Sequence, residues 1–274
     1  MTEWLDLKKD ERIGYNQRYV DRIWKEQQQD ILHSIDRTAT HYMRTLPDVD
    51  TMHRHNQVDV QLQSKDSVTA LLDEAASNKG TDGKLPRICV LNFASFKSPG
   101  GAFMEGKVAQ EECLCISSTL YPVLRYFSTT YYSVNAAKLN KGLYYDTALY
   151  SEDILFKPDG EKVHADVLTC AAPNWSVGQR FGGFTWEQNT EAFKSRCNLI
   201  FRAAGMMNVD VFILGAWGCG VFRQPASFVA GCLIETAQEL RMIPKVIFAV
   251  PRDIGRNADS NFLAFQRALR CATS

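Results

Sequence analysis

Two adjacent carboxylates, Glu111 and Glu112, follow Gln110 directly and come shortly after a glycine pair, Gly100 and Gly101. Consecutive side chains on a helix point about 100° apart, so the two acids cannot aim at one atom but can flank one ligand and divide its chemistry. A carboxyl pair of this kind suits glycosidic cleavage, in which one group protonates the departing oxygen while an oxocarbenium-like centre develops. A neighbouring carboxylate raises the pKa of the donor, and an apolar wall from Phe103 or Phe222 would help. The same residues also serve as ordinary dipole stabilisers of a first helical turn, and their spacing alone leaves both readings open.

The segments around the acids suggest what they would act on. A buried run, Ile88 to Phe93, opens at Asn92 into a loop through Ser95, Gly100, Gly101 and Ala102, and a helix is expected from near Val108. A second apolar run opens into Gly215, Gly218, Cys219, Gly220, Val221 and Phe222 before a helix expected near Pro225. Glycines that let a backbone approach closely, followed by the free N–H groups of a helix start, suit an anionic, phosphate-bearing ligand. Tight turns between packed elements are the alternative. Neither GxxxxGK[ST] nor GxGxxG is present in these loops, so a P-loop NTPase or a common dinucleotide fingerprint finds no support.

The elements that must position these loops can be read from apolar periodicity. Val58, Val60 and Leu62 alternate with polar residues as in a half-buried strand, and Ser67 starts a helix through Ala75 that ends near Gly80. The segment Lys79 to Leu85 reads as a loop. Ile88 to Phe93, Val163 to Cys170, Val209 to Leu214 and Lys245 to Val250 read as strands buried on both faces. Between and after them run helical stripes, from Ala192 to Ala204, from Phe228 to Leu240 and from Phe262 to Leu269. Strands alternating with helices imply a layered α/β domain with a largely parallel sheet and a ligand site at the carboxyl ends of its strands. The first fifty or so residues, with Trp4, Ile13, Tyr19, Ile23, Ile31 and Ile35 at loosely helical spacing, read as an amphipathic helical appendage. The expected division is residues 1–56 as this extension and 57–274 as the domain.

Composition narrows the class. With 274 residues, 45% apolar and 23% charged, the chain is long enough for one large domain and resembles neither a disordered nor a fibrous sequence. Its formal net charge of +0 argues against a broad nucleic-acid-binding surface. The eight cysteines are scattered, and most lie in apolar runs, so reduced thiols in a cytoplasmic protein are expected, with a nuclear location also compatible. No CxxC pair or Cys/His set supports a metal, and no cofactor is expected. No stretch reaches the length of apolar residues that a membrane span needs.

The run from Val90 to Glu112 resembles the signature of the microbial-type poly(ADP-ribose) glycohydrolases, a branch of the macrodomain superfamily whose loop reads Gly-Gly-Gly, a short spacer, then Gln-Glu-Glu. Here Gly100, Gly101 and Ala102 are followed by seven residues, Phe103 to Ala109, and then by Gln110, Glu111 and Glu112. Ser117 to Tyr121, Tyr150 to Phe156, Ala171 to Asn174 and Leu214 to Phe222 also look like that family, in the expected order, and so does a helical N-terminal extension. The resemblance implies a three-layer α/β/α macrodomain that hydrolyses the ribose–ribose bond of poly(ADP-ribose), from the chain end, and releases ADP-ribose. It implies Glu112 as the catalytic acid, Glu111 as the holder of ribose hydroxyls, and Asn92, Ser95, Gly100 to Ala102 and Gln110 beside the distal ribose and diphosphate. Gly218, Cys219, Gly220 and Val221 would present amides to the diphosphate, and Phe222 would pack on the distal ribose. The alternatives are removal of single ADP-ribose units from proteins or nucleic acids, and a non-catalytic ADP-ribose reader. Two positions depart from the pattern: Ala102 stands where the family has its third glycine, and Arg223 where it usually has glycine after Phe.

Overall fold

Alternation along the central buried runs decides the architecture. Ile88 and Val90 point into one hydrophobic cluster and Cys89 and Leu91 into another, so the strand they form must be covered on both faces. The computed structural model describes residues 2–77, 85–157, 160–252 and 258–272. In chain order it contains α1 (Thr2–Asp6), α2 (Lys9–Glu26), α3 (Gln28–Asp36), β1 (Thr38–Tyr42), β2 (Asp59–Gln63) and α4 (Ser67–Ser77). Then come β3 (Ile88–Phe93), α5 (Gln110–Ile116), α6 (Leu120–Tyr126), α7 (Ser133–Ala136), β4 (Thr147–Phe156) and β5 (Val163–Cys170). The chain continues through α8 (Trp175–Phe181), α9 (Trp186–Met206), β6 (Val211–Leu214), α10 (Ala226–Leu240), β7 (Lys245–Ala249) and α11 (Ala258–Ala272).

The strands form one seven-stranded sheet in the order β1-β4-β5-β3-β6-β7-β2. From β5 to β2 the neighbours are parallel, whereas β4 is antiparallel to both β1 and β5. Side chains of α9, α10 and α11 fill one face, including Phe193, Ile200, Leu233 and Phe265. Side chains of α2, α3, α4, α5 and α6 fill the other, including Ile23, Ile31, Leu71, Leu114 and Val123. This is the expected three-layer α/β/α arrangement with a mixed, largely parallel sheet. Phe93 at the end of β3 pairs with Cys170 at the end of β5, and Val90 with Ile213, so the glycine-bearing loops all leave from one edge of the sheet.

Several boundaries move. The strands expected from Val209 and to Val250 run instead from Val211 and to Ala249. The helix from Ser67 ends at Ser77; Gly80 and residues 79–84 of the expected loop lie outside the described residues. The N-terminal segment is not wholly helical. Thr38–Tyr42 forms an edge strand paired with β4, and its half-exposed Thr, His and Tyr side chains carry no apolar period to announce it.

The N-terminal helices brace the segment between the glycine pair and the acids. Asn16, fully buried on α2, donates from Nδ2 to the Phe103 carbonyl at 2.6 Å and accepts from the Trp4 indole at 2.7 Å. Arg12 Nε donates to the Gly106 carbonyl at 2.8 Å, and the Tyr19 hydroxyl to the Ser118 carbonyl at 3.1 Å. Asn16→Ala strands a buried carbonyl and a buried indole N–H, and we expect a loss of about 2 to 4 kcal/mol in urea unfolding; a change within about 0.5 kcal/mol would show the clamp to be idle.

Candidate active site

The acids occupy the first turn of α5, and Gln110 docks that turn onto the sheet. Its Oε1 accepts from the Phe93 amide at 2.9 Å, while Nε2 donates to the Leu91 carbonyl at 2.8 Å and to Ser67 Oγ at 3.2 Å. The side-chain amide of Gln110 therefore acts as a splint between α5 and the end of β3. The next two residues turn inward beneath the glycine loop, Glu111 4% and Glu112 5% exposed.

Their oxygens are treated unequally. Glu111 Oε1 accepts from Asn92 Nδ2 at 3.2 Å and Oε2 from the Ser95 amide at 2.8 Å. Glu112 Oε1 accepts from the Ala102 amide at 2.9 Å, while its Oε2 is buried with no hydrogen-bond partner. Burial pushes the Glu111 carboxyl up to about 8; the Ser95 amide and Asn92 pull it back, and the adjacent Glu112 adds to the rise. Gly100 and Gly101 sit over the pair at φ +67° and +62°, and a Cβ on Gly101 would come within 2.8 Å of a carboxylate oxygen of each acid.

A cavity of about 660 Å³ opens beside Ser95, at the start of the loop that covers the pair. Ser95 belongs to both, since its amide holds Glu111 while the residue lines the cavity. Phe222, from the loop after β6, lines it as well. Tyr144 stacks on Phe96 with ring centres 4.2 Å apart and tilts against Phe222 at 6.0 Å, so three segments meet around one aromatic wall. In the β6 loop, the Cys219 amide is engaged by the Ala216 carbonyl at 3.1 Å, whereas among the described residues the amides of Gly218, Gly220, Val221 and Phe222 have no partner. Trp217 Nε1 and Gln224 Nε2 pin this loop to the Cys170 and Pro173 carbonyls at the end of β5. Burial pushes the Cys219 thiol up to about 12, which leaves it an inert part of the loop. Among the described residues no group of His, Cys, Asp and Glu side chains is arranged to hold a metal ion, and no helix is long and apolar enough to cross a membrane.

The sequence profile of the microbial-type PARG catalytic domain matches residues 16–157, just over half of the 274-residue chain. The chain belongs to that family. The poly(ADP-ribose) glycohydrolase of Thermomonospora curvata superposes with a TM-score of 0.82 at 22% identity, over 95% of this chain and 100% of that one. The Deinococcus radiodurans poly(ADP-ribose) glycohydrolase in complex with ADP-ribose gives a TM-score of 0.76 at 25% identity, over 88% and 98% of the two chains. A Thermomonospora structure bound to the inhibitor ADP-HPD gives 0.80 at 22% identity, over 94% and 99%. No curated protein matches the sequence. The present chain is a PARG-family glycohydrolase with that family's fold.

Within this PARG domain the two departures have opposite consequences. Ala102 has φ −113°, a conformation open to any residue, so the third glycine is dispensable to the loop backbone. Arg223 has φ +58° and is exposed, so its side chain faces solvent while its backbone adopts the left-handed form that favours glycine. The expected residues Asn92, Ser95, Gly100, Gly101, Ala102, Gln110, Glu111 and Glu112 converge on one cluster, and Phe222 reaches the adjoining cavity. Sequence reasoning missed Tyr144 and Arg196. Arg196 is 1% exposed and holds Asp146 at 2.7 Å and the Ala171 and Leu143 carbonyls at 2.5 and 3.2 Å. A signal for it existed, because Arg196 interrupts the apolar stripe that Phe193, Cys197 and Ile200 define on α9.

Two outcomes follow for the PARG domain. Burial raises the Glu111 carboxyl to about 8, above its unfolded value, so the folded state holds more protons between the two; this group's contribution to stability is full below about pH 4.5 and is lost as pH rises towards 8. Thermal melts of Glu111→Gln should fall less steeply with pH over this window than those of the wild type, and parallel curves would refute the shift. Arg223→Gly should stabilise the protein by about 0.5 to 1 kcal/mol in chemical denaturation, while Ala102→Gly should destabilise it by a similar amount; a stabilising Ala102→Gly would contradict the backbone assignment.

Proposed function

We propose that this chain hydrolyses poly(ADP-ribose) from its terminus and releases ADP-ribose, with Glu112 as general acid and Glu111 holding ribose hydroxyls. The observation that supports these roles is the inequality of the pair: both Glu111 oxygens are engaged by protein donors, whereas Glu112 Oε2 is buried and unpartnered. In the reaction the bond between the anomeric carbon of the terminal ribose and its glycosidic oxygen breaks, the electron pair leaves with that oxygen, and the Glu112 proton moves to it. Water then adds to the anomeric carbon, and its proton returns to the Glu112 carboxylate. The diphosphate helps place the ribose for this attack.

The free amides of Gly218, Gly220, Val221 and Phe222 suit the diphosphate, and the ring of Phe222 suits the distal ribose. Asn92, Ser95 and the backbone of Gly100 to Ala102 hold the acids in place around it. A cavity of about 660 Å³ matches one nucleotide-sized unit, which favours attack at a chain end and ADP-ribosylated macromolecules as the partners. Residues 57–274 carry this chemistry, and residues 1–56 brace it through the Phe103 and Gly106 carbonyls.

Glu112→Gln keeps the shape of the site but removes its proton. Release of ADP-ribose from purified polymer should fall by about 10² to 10⁴, with ADP-ribose affinity within a few-fold of wild type. Undiminished hydrolysis by this variant would sink the assignment of Glu112.

A further inference from the structure

The edge of the cavity carries two cations for which the acid pair has no need. Lys97 and Lys141 line it from different segments, both are exposed, and no Asp or Glu shares that lining. Among the described residues neither ammonium has a hydrogen-bond or ion-pair partner.

The backbone that carries Lys141 is also held more firmly than an ordinary surface loop. Asn140, Lys141, Gly142 and Tyr144 have φ of 44°, 54°, 104° and 62°. A non-glycine residue in that region is strained and persists only where its surroundings over-determine it. Here the Asn174 amide donates to the Gly142 carbonyl at 2.8 Å, Arg196 Nη2 to the Leu143 carbonyl at 3.2 Å, and Asn140 Nδ2 to the Tyr144 carbonyl at 3.3 Å. Gly183 closes in from the far side, where an added Cβ would lie 3.3 Å from the Lys141 carbonyl oxygen. The strained backbone thus fixes where this lysine leaves the chain at the cavity, while its ammonium stays free to reach outward.

The cavity holds about one nucleotide-sized unit, so the next unit of a polymer lies outside it, where exposed ammonium groups can reach. The geometry points to Lys97 and Lys141 as a second phosphate subsite, which grips the diphosphate of the ADP-ribose unit adjoining the terminal one. This rests on the reading of the substrate as poly(ADP-ribose). The subsite makes these two lysines determinants of polymer over single-unit substrates, and it lets a chain of zero net charge engage a polyanion through a local pair of cations.

The test uses the full chain as wild type, Lys97→Gln, Lys141→Gln and the double variant, with a Lys97→Glu/Lys141→Glu protein as a stronger perturbation. ADP-ribose release from purified polymer is followed at several salt concentrations, and binding of free ADP-ribose by calorimetry. The double Gln variant should raise KM for polymer about tenfold at unchanged kcat, and the slope of log KM against log salt should fall by about 1.4, the contribution of two phosphate contacts on a single strand. Its affinity for free ADP-ribose should stay within twofold, and the Glu variant should raise KM further. Equal losses on polymer and on free ADP-ribose would overturn the proposal by placing the lysines on the terminal unit, and so would an unchanged KM and slope. Absence of ADP-ribose release by the wild type would instead defeat the reading of the substrate, and the subsite with it.

Discussion

A side chain at position 101 would put its Cβ 2.7 Å from Glu112 Oε1 and 2.8 Å from Glu111 Oε2, nearer than real Cβ atoms come to any neighbour. The glycine there lets a backbone lie directly over two carboxyl groups. In that position the Ala102 amide reaches Glu112, and from the start of the same loop the Ser95 amide reaches Glu111. Two like charges side by side in a buried place would otherwise be prohibitive. The amides and Asn92 lower that penalty for Glu111 without removing it, and the carboxyl remains raised to about 8. Close contact between loop and acids is therefore the condition for burying the pair.

Much of the rest of the fold serves to keep that loop where it is. Gln110 ties the start of α5 to β3, so the helix cannot slide along the sheet without breaking three hydrogen bonds. From the opposite side α2 holds the Phe103 and Gly106 carbonyls, which lie between the glycines and the acids in sequence. Trp217 and Gln224 fasten the β6 loop to the end of β5, and Arg196 fastens the Tyr144 segment to the same strand end. Three otherwise separate loops are thereby referred to one rigid edge of a parallel sheet, the usual place for a ligand site in such folds.

The parallel half of the sheet was legible because β3, β6 and β7 are short and almost wholly buried apolar runs, and β5 is buried from Ala165 to Cys170 with only Asp166 and Thr169 interrupting its apolar residues. The antiparallel half was not. β1 is a half-exposed edge, and β4 is broken by a register shift between Ser151 and Ile154 with Asp153 at φ +60°, which disrupts any period of two. In the site, residue types and spacing singled out Glu111 and Glu112, and the resemblance supplied their separate roles. Spacing could not show that the Gln110 amide would be taken up by backbone, or that the Cys219 amide would close a turn on Ala216, because both depend on contacts made only after folding. Ala102 shows a further limit: a missing glycine matters only where φ is positive, and that angle is a property of the loop rather than of its composition.

Glu111 and Glu112 are neighbours in sequence, and the different work proposed for them rests on the partners of their four carboxyl oxygens. The most direct measurement is a crystal structure of the full chain with ADP-ribose bound. The expected result is the distal ribose hydroxyls on Glu111, the anomeric carbon beside Glu112 Oε2, and the diphosphate on the amides of Gly218, Gly220, Val221 and Phe222, with the Ala102 amide still on Glu112. A ligand seated away from Glu112 Oε2, or a loop that releases Glu112 to let the ribose enter, would contradict it.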